Sequence, residues 1–379
     1  MSKKITICSN TSWYLYNFRQ GLIKALQNEG YEVTLIAPID DYSKRLEYLG
    51  CKHYDIELNN KGTNPIEDTK LMYQYYKLFK EINPDMLLIY TIKPNIYASI
   101  ISKILNIETI NVVAGLGTVF LDNKPSSKLA RWLYKLSLFN NKVLFENRDD
   151  SDEFISRSII RKKQSTIIPG AGINTDEFQP KNRVTNRENI TFLLIARLIK
   201  DKGIIEYIEA IKAIKTKYPA VKFKILGSYY FDNPSSISED EVKSWVKDDI
   251  IEYLGYTDAV LEEIEKVDCI VLPSYREGLS RVLLEAGSMS KPIITTNVTG
   301  CKEVVDNGHN GFLVTSKSSK SLSIAMEKMI NLSHKERVQM GMRGRLKVIN
   351  EFDDKIVIKK YLDTISSSEK ELILSKVYK

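Results

Sequence analysis

The chain has 379 residues, 43% of them hydrophobic and 27% charged, which is the composition of an ordinary soluble protein long enough for two domains. Its net charge of +7 is mild and is not gathered into dense basic clusters, which argues against a nucleic-acid-binding protein and favours phosphates or an acidic lipid surface as partners. The four cysteines form no CxxC pair, which argues against a disulfide framework or a zinc site.

The apolar segments of the chain are too short or too interrupted to cross a membrane. The stretch "DMLLIYTIKPNIYASIISKIL" is broken by Lys93, Pro94, Asn95 and Lys103. The opening "MSKKITICSN" is typical of a short strand after two lysines and is too brief for the core of a signal peptide. We therefore expect a cytoplasmic protein.

Strand-like runs alternate with helix-length segments along the whole chain. The first half gives the strands "KITIC", "YEVTLIAP", "KHYDIEL", "DMLLIY", "TINVVA", "KVLFE" and "QSTIIP", with helices near residues 17–29, 41–49, 66–82, 95–105, 126–140 and 150–160. The second half gives "ITFLLIA", "VKFKILG", "IIEYLG", "DCIVLP", "PIITT" and "GFLV", again separated by helices. This alternation predicts parallel sheets covered by helices on both faces, and so many strands are too many for one comfortable sheet.

The sequence therefore predicts an α/β fold of two doubly wound parallel-sheet domains, residues 1–178 and 186–352. The break falls in "GINTDEFQPKNRVTNRENI", which is polar, contains a proline and lacks periodicity. The tail reads as helical and has no strand of its own, and we expect a helix at about 355–379 to pack back on the first domain.

Two carboxylates follow the predicted strand "DCIVLP" in the second half. Glu277 lies on the strand-to-helix loop of "SYREGLSRVLLEAGSM", Ser280 is a plausible N-cap, and Glu285 lies one turn beyond Arg281. Open α/β sheets bind ligands at this carboxyl edge, and the first amides of the helix, at residues 279–281, would offer an anion site. An anion between two carboxylates matches a sugar–diphosphate–ribose, and two solvated glutamates are the alternative.

Two cations bracket the first strand-to-helix loop of the second half. In "LLIARLIKDKGIIEYIEAI", Arg197 and Lys202 stand at the carboxyl end of a strand beside a helix N-terminus, which favours a diphosphate clamp that also stabilises charge on a departing diphosphate. Gly227, in "KILGSYY", ends the next strand and lets the backbone approach a ligand, and Gly255 repeats this layout. Surface cations beside a turn are the alternative.

In this order the motifs resemble the GT-B-fold retaining glycosyltransferases of the family-4 type. The likeness rests on "LPSYREGLSRVLLEAGSMSKPIITTNVTGCKEVVDNGHNGFLV", "ARLIKDKG" and "GAGINTDEFQP", and it covers essentially the whole chain. It implies two Rossmann-like domains facing across a cleft, with an acceptor-binding first domain and a nucleotide-sugar-binding second domain. It also implies a front-face reaction, in which the leaving diphosphate assists deprotonation of the acceptor.

The resemblance implies a role for each matching residue. Glu277, Arg197 and Lys202 would be catalytic, with Glu277 near the reacting centre and the two cations on the diphosphate. The remaining donor-binding residues would be Gly227, Gly278, Leu279, Ser280 and Arg281 around the phosphates, Tyr256 near the base, and Glu285 on the ribose.

The first half has a narrower likeness. "NTSWYLYNFRQGLIKAL", "YTIKPNIYASI", "VAGLGTVF" and "VLFENRDDSDEF" resemble bacterial enzymes that extend undecaprenyl-diphosphate-linked glycans, including those that add α-1,3-linked N-acetylgalactosamine to diacetylbacillosamine. This implies a UDP-sugar donor, an N-acetylhexosamine as the moved sugar, and a polyprenyl-diphosphate-linked acceptor. The implied acceptor-binding residues are Asn17, Arg19, Lys93, Gly115 and Gly117. Many family members carry a histidine in the first domain near the acceptor, and "YTIKPN" offers Lys93 in its place. Arg19 is either a contact to the acceptor diphosphate or a surface arginine.

Two further segments allow opposed interpretations. "DDSD" at 149–152 contains a D-x-D, a metal motif in another transferase fold, but we interpret it as the acidic first turn of a helix and expect no metal and no cofactor. In "SSKLARWLYKLSLFNNK", Lys128, Arg131 and Lys135 share one helical face, and the other face has Leu129, Trp132, Leu133 and Leu136. Such a helix either lies on the anionic inner face of the cytoplasmic membrane or buries its apolar face in the core.

Two other classes of protein remain as alternatives. An NAD-dependent dehydrogenase would need a G-x-G-x-x-G motif after an early strand, and "ITICSNTSWYLYNFRQG" lacks it. A non-catalytic nucleotide-sugar-binding protein would keep the cation clamp but lose the acceptor side. Turnover of a nucleotide sugar separates these classes from a transferase.

Overall fold

The structure, a computed structural model, describes residues 3–60, 64–116, 120, 125–181, 189–231 and 233–377. The chain forms two compact units, Met1–Ala171 with Lys355–Lys379, and Gly172–Asp354. Each unit contains a parallel sheet with helices packed against it, which confirms the predicted α/β fold. The division of acceptor and donor binding between the units stays a prediction.

The described part of the first unit contains a seven-stranded sheet in the order β3-β2-β1-β4-β5-β6-β7. Its strands are β1 (Lys4–Cys8), β2 (Glu32–Ile36), β3 (Lys52–Tyr54), β4 (Met86–Tyr90), β5 (Glu108–Val113), β6 (Lys142–Phe145) and β7 (Ser165–Ile167). β4 is buried at every position, as expected for a parallel strand covered on both faces. The strand order reverses between β1 and β4, and ligands bind at the carboxyl ends of strands beside such a reversal.

Helices cover both faces of this sheet. They are α1 (Ser12–Asn28), α2 (Ser43–Glu47), α3 (Pro65–Ile82), α4 (Ile92–Ile104), α5 (Pro125–Ser137), α6 (Arg148–Ser156) and α13 (Asp354–Val377). Leu88 packs with α1 and α13, whereas its neighbour Leu87 packs with α3 and α4, because successive strand side chains point to opposite faces. α1 begins at Ser12, earlier than predicted, because the Thr11 hydroxyl accepts the Tyr14 N–H and caps the helix.

The described part of the second unit contains a six-stranded sheet in the order β10-β9-β8-β11-β12-β13. Its strands are β8 (Thr191–Ile195), β9 (Lys222–Leu226), β10 (Glu252–Tyr253), β11 (Cys269–Leu272), β12 (Ile293–Thr296) and β13 (Gly311–Val314). Its helices are α7 (Ile204–Lys215), α8 (Glu239–Lys247), α9 (Val260–Glu265), α10 (Arg281–Ser288), α11 (Ser319–Asn331) and α12 (His334–Glu351). The order reverses between β8 and β11, so the loops after these two strands share one edge.

The acidic segment "DDSD" opens a helix, as interpreted from the sequence. Asp149 and Asp150 lie in the first turn of α6, and the side chain of Asn147 accepts the Asp150 N–H at 2.8 Å. Carboxylates are favourable at this end of a helix, because the macrodipole is positive there.

Helix α5 exposes much of its apolar side. Leu129, Trp132 and Leu136 are 52%, 60% and 50% exposed, so the alternative that this face is buried in the core is wrong for these three residues. Tyr134 holds the helix to its unit, and Leu138, directly after the helix, is buried in the same hydrophobic cluster. Across the described residues, the helices that are long enough to span a bilayer are too polar to do so.

Candidate active site

The predicted donor loop follows β11 in the second unit. Pro273 and Ser274 end the strand, and α10 begins at Arg281 after Ser280. Ser280 occupies the predicted N-cap position, although its hydroxyl makes no capping hydrogen bond. The loop from Ser274 to Ser280 therefore lies at the carboxyl edge of the sheet, where Glu277 was predicted.

The structure joins two predicted catalytic residues in an ion pair. Lys202 Nζ lies 2.6 Å from Glu277 Oε1, although the residues are 75 positions apart in the chain. Their side chains are only 17% and 16% exposed, so solvent screens this pair less than it screens a surface salt bridge. An ammonium and a carboxylate are thus fixed against each other at the edge of the sheet.

The short turn that carries Lys202 is fastened to the donor loop. The carbonyl of Asp201 accepts the Tyr275 N–H at 2.9 Å and the Ser274 hydroxyl at 3.3 Å. Gly203 follows with a φ of 73°, and a Cβ there would lie 2.1 Å from the Pro273 carbonyl oxygen. Only glycine fits both the left-handed backbone and this close approach, which explains the glycine directly after Lys202.

The donor loop is also bonded to the loop after β12. The Glu277 N–H donates to the Thr299 carbonyl at 3.0 Å, and the Ser280 N–H donates to the Gly300 carbonyl at 2.8 Å. Gly300 has a φ of 81°, and a Cβ there would lie 2.5 Å from the Glu277 backbone. This corrects one detail of the predicted phosphate site, because the Ser280 amide is already used within the fold.

Glu285 is buried in α10 and bonded to Arg281 one turn earlier. Arg281 Nε donates to Glu285 Oε1 at 2.9 Å. Burial raises the pKa of the Glu285 carboxyl, and the Arg281 guanidinium works in the opposite direction. The two predicted donor carboxylates therefore have separate cationic partners.

Arg197 is exposed and lies against an aromatic ring. Its guanidinium carbon is 4.9 Å from the ring centroid of Tyr230, a cation–π arrangement. Tyr230 was not predicted as a site residue, although the aromatic run "SYYF" directly after Gly227 was a usable signal. Gly227 itself permits close contact between strands, because a Cβ there would lie 1.7 Å from the Ala196 carbonyl oxygen.

Tyr256, predicted to lie near the base, is largely exposed. Its hydroxyl donates to Asp258 Oδ1 at 2.6 Å. Within the parts of the chain that the structure describes, there is no group of three or more His, Cys, Asp or Glu side chains that could hold a metal ion.

Arg19, a predicted acceptor contact, is buried. Its side chain is 1% exposed, its Nη2 lies 3.1 Å from Glu146 Oε1, and its guanidinium lies 4.5 Å from the ring centroid of Tyr90. The interpretation of Arg19 as a surface arginine is therefore wrong, and its guanidinium is engaged inside the first unit instead of being presented to a diphosphate. Burial raises the pKa of the Glu146 carboxyl, and Arg19 opposes this shift.

Three other predicted acceptor residues, Asn17, Lys93 and Gly115, lie in segments that follow strands of the first sheet at its carboxyl edge. Lys93, at the start of α4, contacts Asp68 Oδ1 at 2.9 Å. The Asn17 amide donates to the Trp13 carbonyl at 2.9 Å. Gly115 follows β5 with a φ of 115°, and Gly117 lies outside the described residues.

Comparison with known families decides what class of protein has this arrangement. The family model "Glycosyl transferases group 1" matches residues 175–347, and "Glycosyl transferase 4-like" matches residues 4–147. The chain belongs to the family-4-type glycosyltransferases. It is therefore an enzyme, and the resemblance predicted from its donor motifs is confirmed.

Two curated relatives of this glycosyltransferase match it over almost their whole length. It is 29% identical to the N,N'-diacetylbacillosaminyl-diphospho-undecaprenol alpha-1,3-N-acetylgalactosaminyltransferase of Campylobacter jejuni, over 95% of this chain and 97% of the relative. It is 23% identical to the UDP-Gal:alpha-D-GlcNAc-diphosphoundecaprenol alpha-1,3-galactosyltransferase of Escherichia coli, over 93% and 92%.

Solved structures share the fold. A glycosyltransferase from Rickettsia africae superimposes with a TM-score of 0.80 at 18% identity, over 97% of this chain and 99% of that chain. HepE of Anabaena, in complex with UDP and glucose, superimposes with a TM-score of 0.77 at 17% identity, over 96% and 100%. At these sequence identities the superpositions show a shared GT-B fold only.

Proposed function

We propose that this glycosyltransferase moves a sugar from a UDP-sugar to a saccharide linked to undecaprenyl diphosphate, in the assembly of a surface glycan or an N-glycan precursor. The moved sugar is an N-acetylhexosamine, with N-acetylgalactosamine as the first choice. The full-length similarity to the Campylobacter transferase supports both the lipid-linked acceptor and this sugar. The second relative, named for a UDP-sugar and another undecaprenol-linked acceptor, supports the substrate class.

The observation that carries the proposal is the Lys202–Glu277 ion pair at the edge of the second sheet. A UDP-sugar brings a diphosphate and a ring of hydroxyls. Lys202 and Arg197 bind the diphosphate and stabilise the charge that grows on it as the glycosidic bond breaks. Glu277 accepts hydrogen bonds from the sugar hydroxyls, and Glu285 accepts them from the ribose.

The proposed reaction retains the configuration of the transferred sugar and needs no metal ion. The new bond forms on the face from which the diphosphate leaves, and a diphosphate oxygen takes the proton of the acceptor hydroxyl. Arg197 and Lys202 stabilise the negative charge of the leaving diphosphate, which is the role of a metal ion in other transferases. A double displacement would need a second carboxylate about 5 Å from the first, as in retaining glycosidases. Glu285 is instead buried and bonded to Arg281.

Membrane contact through α5 is part of the proposal. The exposed side chains of Leu129, Trp132 and Leu136 offer an apolar surface, and Lys128 and Lys135 are exposed beside it. Each cation near an anionic surface contributes about 1 kcal/mol, and the contribution falls with salt. Weak, reversible binding at the inner face of the cytoplasmic membrane suits an enzyme that takes its acceptor from the lipid and its donor from the cytosol.

The first test is turnover. Purified protein is incubated with UDP-N-acetylgalactosamine, UDP-N-acetylglucosamine, UDP-galactose or UDP-glucose and either acceptor named for the relatives, and the lipid products are identified by mass spectrometry. We expect one hexosamine to be added with retained configuration, and Glu277→Gln to abolish transfer. UDP binding without transfer from any donor would favour a non-catalytic nucleotide-sugar-binding protein, and transfer only to free sugars would exclude the lipid-linked acceptor.

The second test is co-sedimentation with vesicles. Wild type should sediment with vesicles that contain phosphatidylglycerol and less with neutral vesicles. Lys128→Glu combined with Lys135→Glu should weaken sedimentation, whereas Lys77→Glu combined with Lys80→Glu, an equal charge change on α3, should not. Equal sedimentation of all three proteins on both vesicles would remove membrane contact from the proposal and leave the transferase reaction intact.

A further inference from the structure

A polar pocket of about 440 Å³ lies in the first unit, within the roughly 300–1,000 Å³ range of small-molecule sites. Three segments form it: the stretch after β3, the first turns of α3, and the start of α4 just beyond β4. Its lining residues are Glu57, Leu58, Asn59, Glu67, Asp68, Lys70, Leu71 and Lys93. It therefore opens at the carboxyl edge of the sheet, where parallel α/β folds bind ligands.

A rigid ammonium group forms one wall of this pocket. Lys93 Nζ contacts Asp68 Oδ1 at 2.9 Å, and the Tyr97 hydroxyl donates to Asp68 Oδ2 at 2.7 Å. Both oxygens of Asp68 are thus occupied, and the side chain of Lys93 is largely buried. Asp68 uses one N–H of Lys93, so this fixed ammonium has donors left for a ligand.

The opposite wall is more exposed and rich in hydrogen-bond acceptors. The Asn59 side chain donates to Glu67 Oε2 at 3.1 Å. The Glu57 carboxylate pairs with Lys70 and is 71% exposed, so it keeps acceptor capacity.

The charges of the lining select the class of ligand. Three carboxylates and two ammonium groups give the pocket a small net negative charge, which disfavours a phosphate or diphosphate. A ligand with many hydroxyl or acetamido groups satisfies both carboxylates and ammonium groups without bringing a charge of its own.

We propose that this pocket binds the saccharide of the acceptor, with Lys93 and Glu57 as direct hydrogen-bonding partners and Asp68 as the residue that positions Lys93. The inference rests on the proposed function, and it separates the sugar of the acceptor from its diphosphate. Lys93, predicted only as an acceptor contact, thereby recognises hydroxyl or acetamido oxygens of the sugar.

The closing experiment measures binding and turnover separately. Binding is followed by ligand-observed NMR with the methyl glycosides of N-acetylglucosamine and diacetylbacillosamine, and turnover by the acceptor KM on the corresponding lipid-linked sugars. Lys93→Met should abolish glycoside binding and raise the acceptor KM about tenfold or more, the loss expected for a hydrogen bond to a charged group. UDP affinity should stay unchanged. Lys77→Met, which removes a lysine from the outer face of α3, is the matched control and should behave as wild type.

A second variant and a competition measurement also test the inference. Glu57→Gln, at an exposed position, should weaken glycoside binding while the protein stays folded. Unchanged glycoside binding in both Lys93→Met and Glu57→Gln would overturn the inference even if the wild type proves to be an active transferase. Displacement of the glycosides by inorganic diphosphate would also overturn it, because the pocket would then be a phosphate site. If no lipid-linked acceptor is turned over but the glycosides bind as described, the proposed function fails and the saccharide pocket stands.

Discussion

Replacing Lys202 by methionine tests whether the ion pair with Glu277 serves catalysis. The change removes the ammonium 2.6 Å from Glu277 Oε1 and leaves a carboxylate that is 16% exposed without this partner. Removing one preorganised group that stabilises developing charge typically lowers kcat about 10²–10³-fold, and we expect a loss in that range. UDP affinity should fall as well, by about 1–3 kcal/mol, as for a lost hydrogen bond to a charged group.

The assay is initial-rate kinetics with saturating acceptor, combined with calorimetric titration of UDP. Lys243→Met removes an exposed lysine from α8, where it pairs only at the surface with Glu239, and is the control for loss of charge. The double variant Lys202→Met with Glu277→Gln should regain part of the thermal stability lost in Lys202→Met, since no unpaired carboxylate remains, but should regain no activity. A raised donor KM with normal kcat would refute the reasoning, because Lys202 would then bind ground state and transition state equally.

Three further predictions concern the donor side. Glu285→Gln should weaken UDP binding by about 1–3 kcal/mol in calorimetry, because a ribose hydroxyl loses its charged acceptor, and unchanged affinity would exclude Glu285 from the ribose site. Tyr230→Leu should lower donor affinity two- to fivefold, which corresponds to the roughly 0.5–1 kcal/mol of an exposed cation–π contact with Arg197. Tyr230→Phe should leave donor affinity unchanged, because it retains the ring. Equal losses of affinity in both variants would contradict a role for the ring face. EDTA should leave activity intact because Arg197 and Lys202 neutralise the leaving group, and abolition of activity with rescue by Mn²⁺ would contradict a metal-independent reaction.

Local patterns in the sequence were enough to predict the layers of the fold. Strands such as "CIVL" in β11 are short and apolar, as is typical of a parallel strand that is buried on both faces. The first turn of α6 was also predictable, since Asn147 and the acidic residues after it are favourable at the start of a helix. Helix α1 begins several residues earlier than predicted, because Thr11 caps it.

Contacts between distant segments could not be predicted in this way. Arginine is rarely buried, so Arg19 in a surface helix predicted an exposed side chain. Its burial depends on Glu146, which lies 127 positions away, and on the rings of Tyr14 and Tyr90. The pairing of Lys202 with Glu277 likewise depends on the order of β8 and β11 in the sheet, which no local pattern specifies.

Glu277 and Glu285 differ in a way that their spacing in the sequence does not reveal. Glu285 and Arg281 belong to one helix, so their pairing follows from the i, i+4 spacing of that helix. Glu277 and Lys202 come from two loops that are joined through backbone hydrogen bonds, so their pairing depends on how these loops meet. On the proposed function, the diphosphate of an arriving donor competes with Glu277 for the Lys202 ammonium. The carboxylate that it displaces then turns to the sugar hydroxyls. Binding of the leaving group and recognition of the sugar would thus be coupled through one ion pair, and a nucleotide without a sugar would leave Glu277 without that second partner.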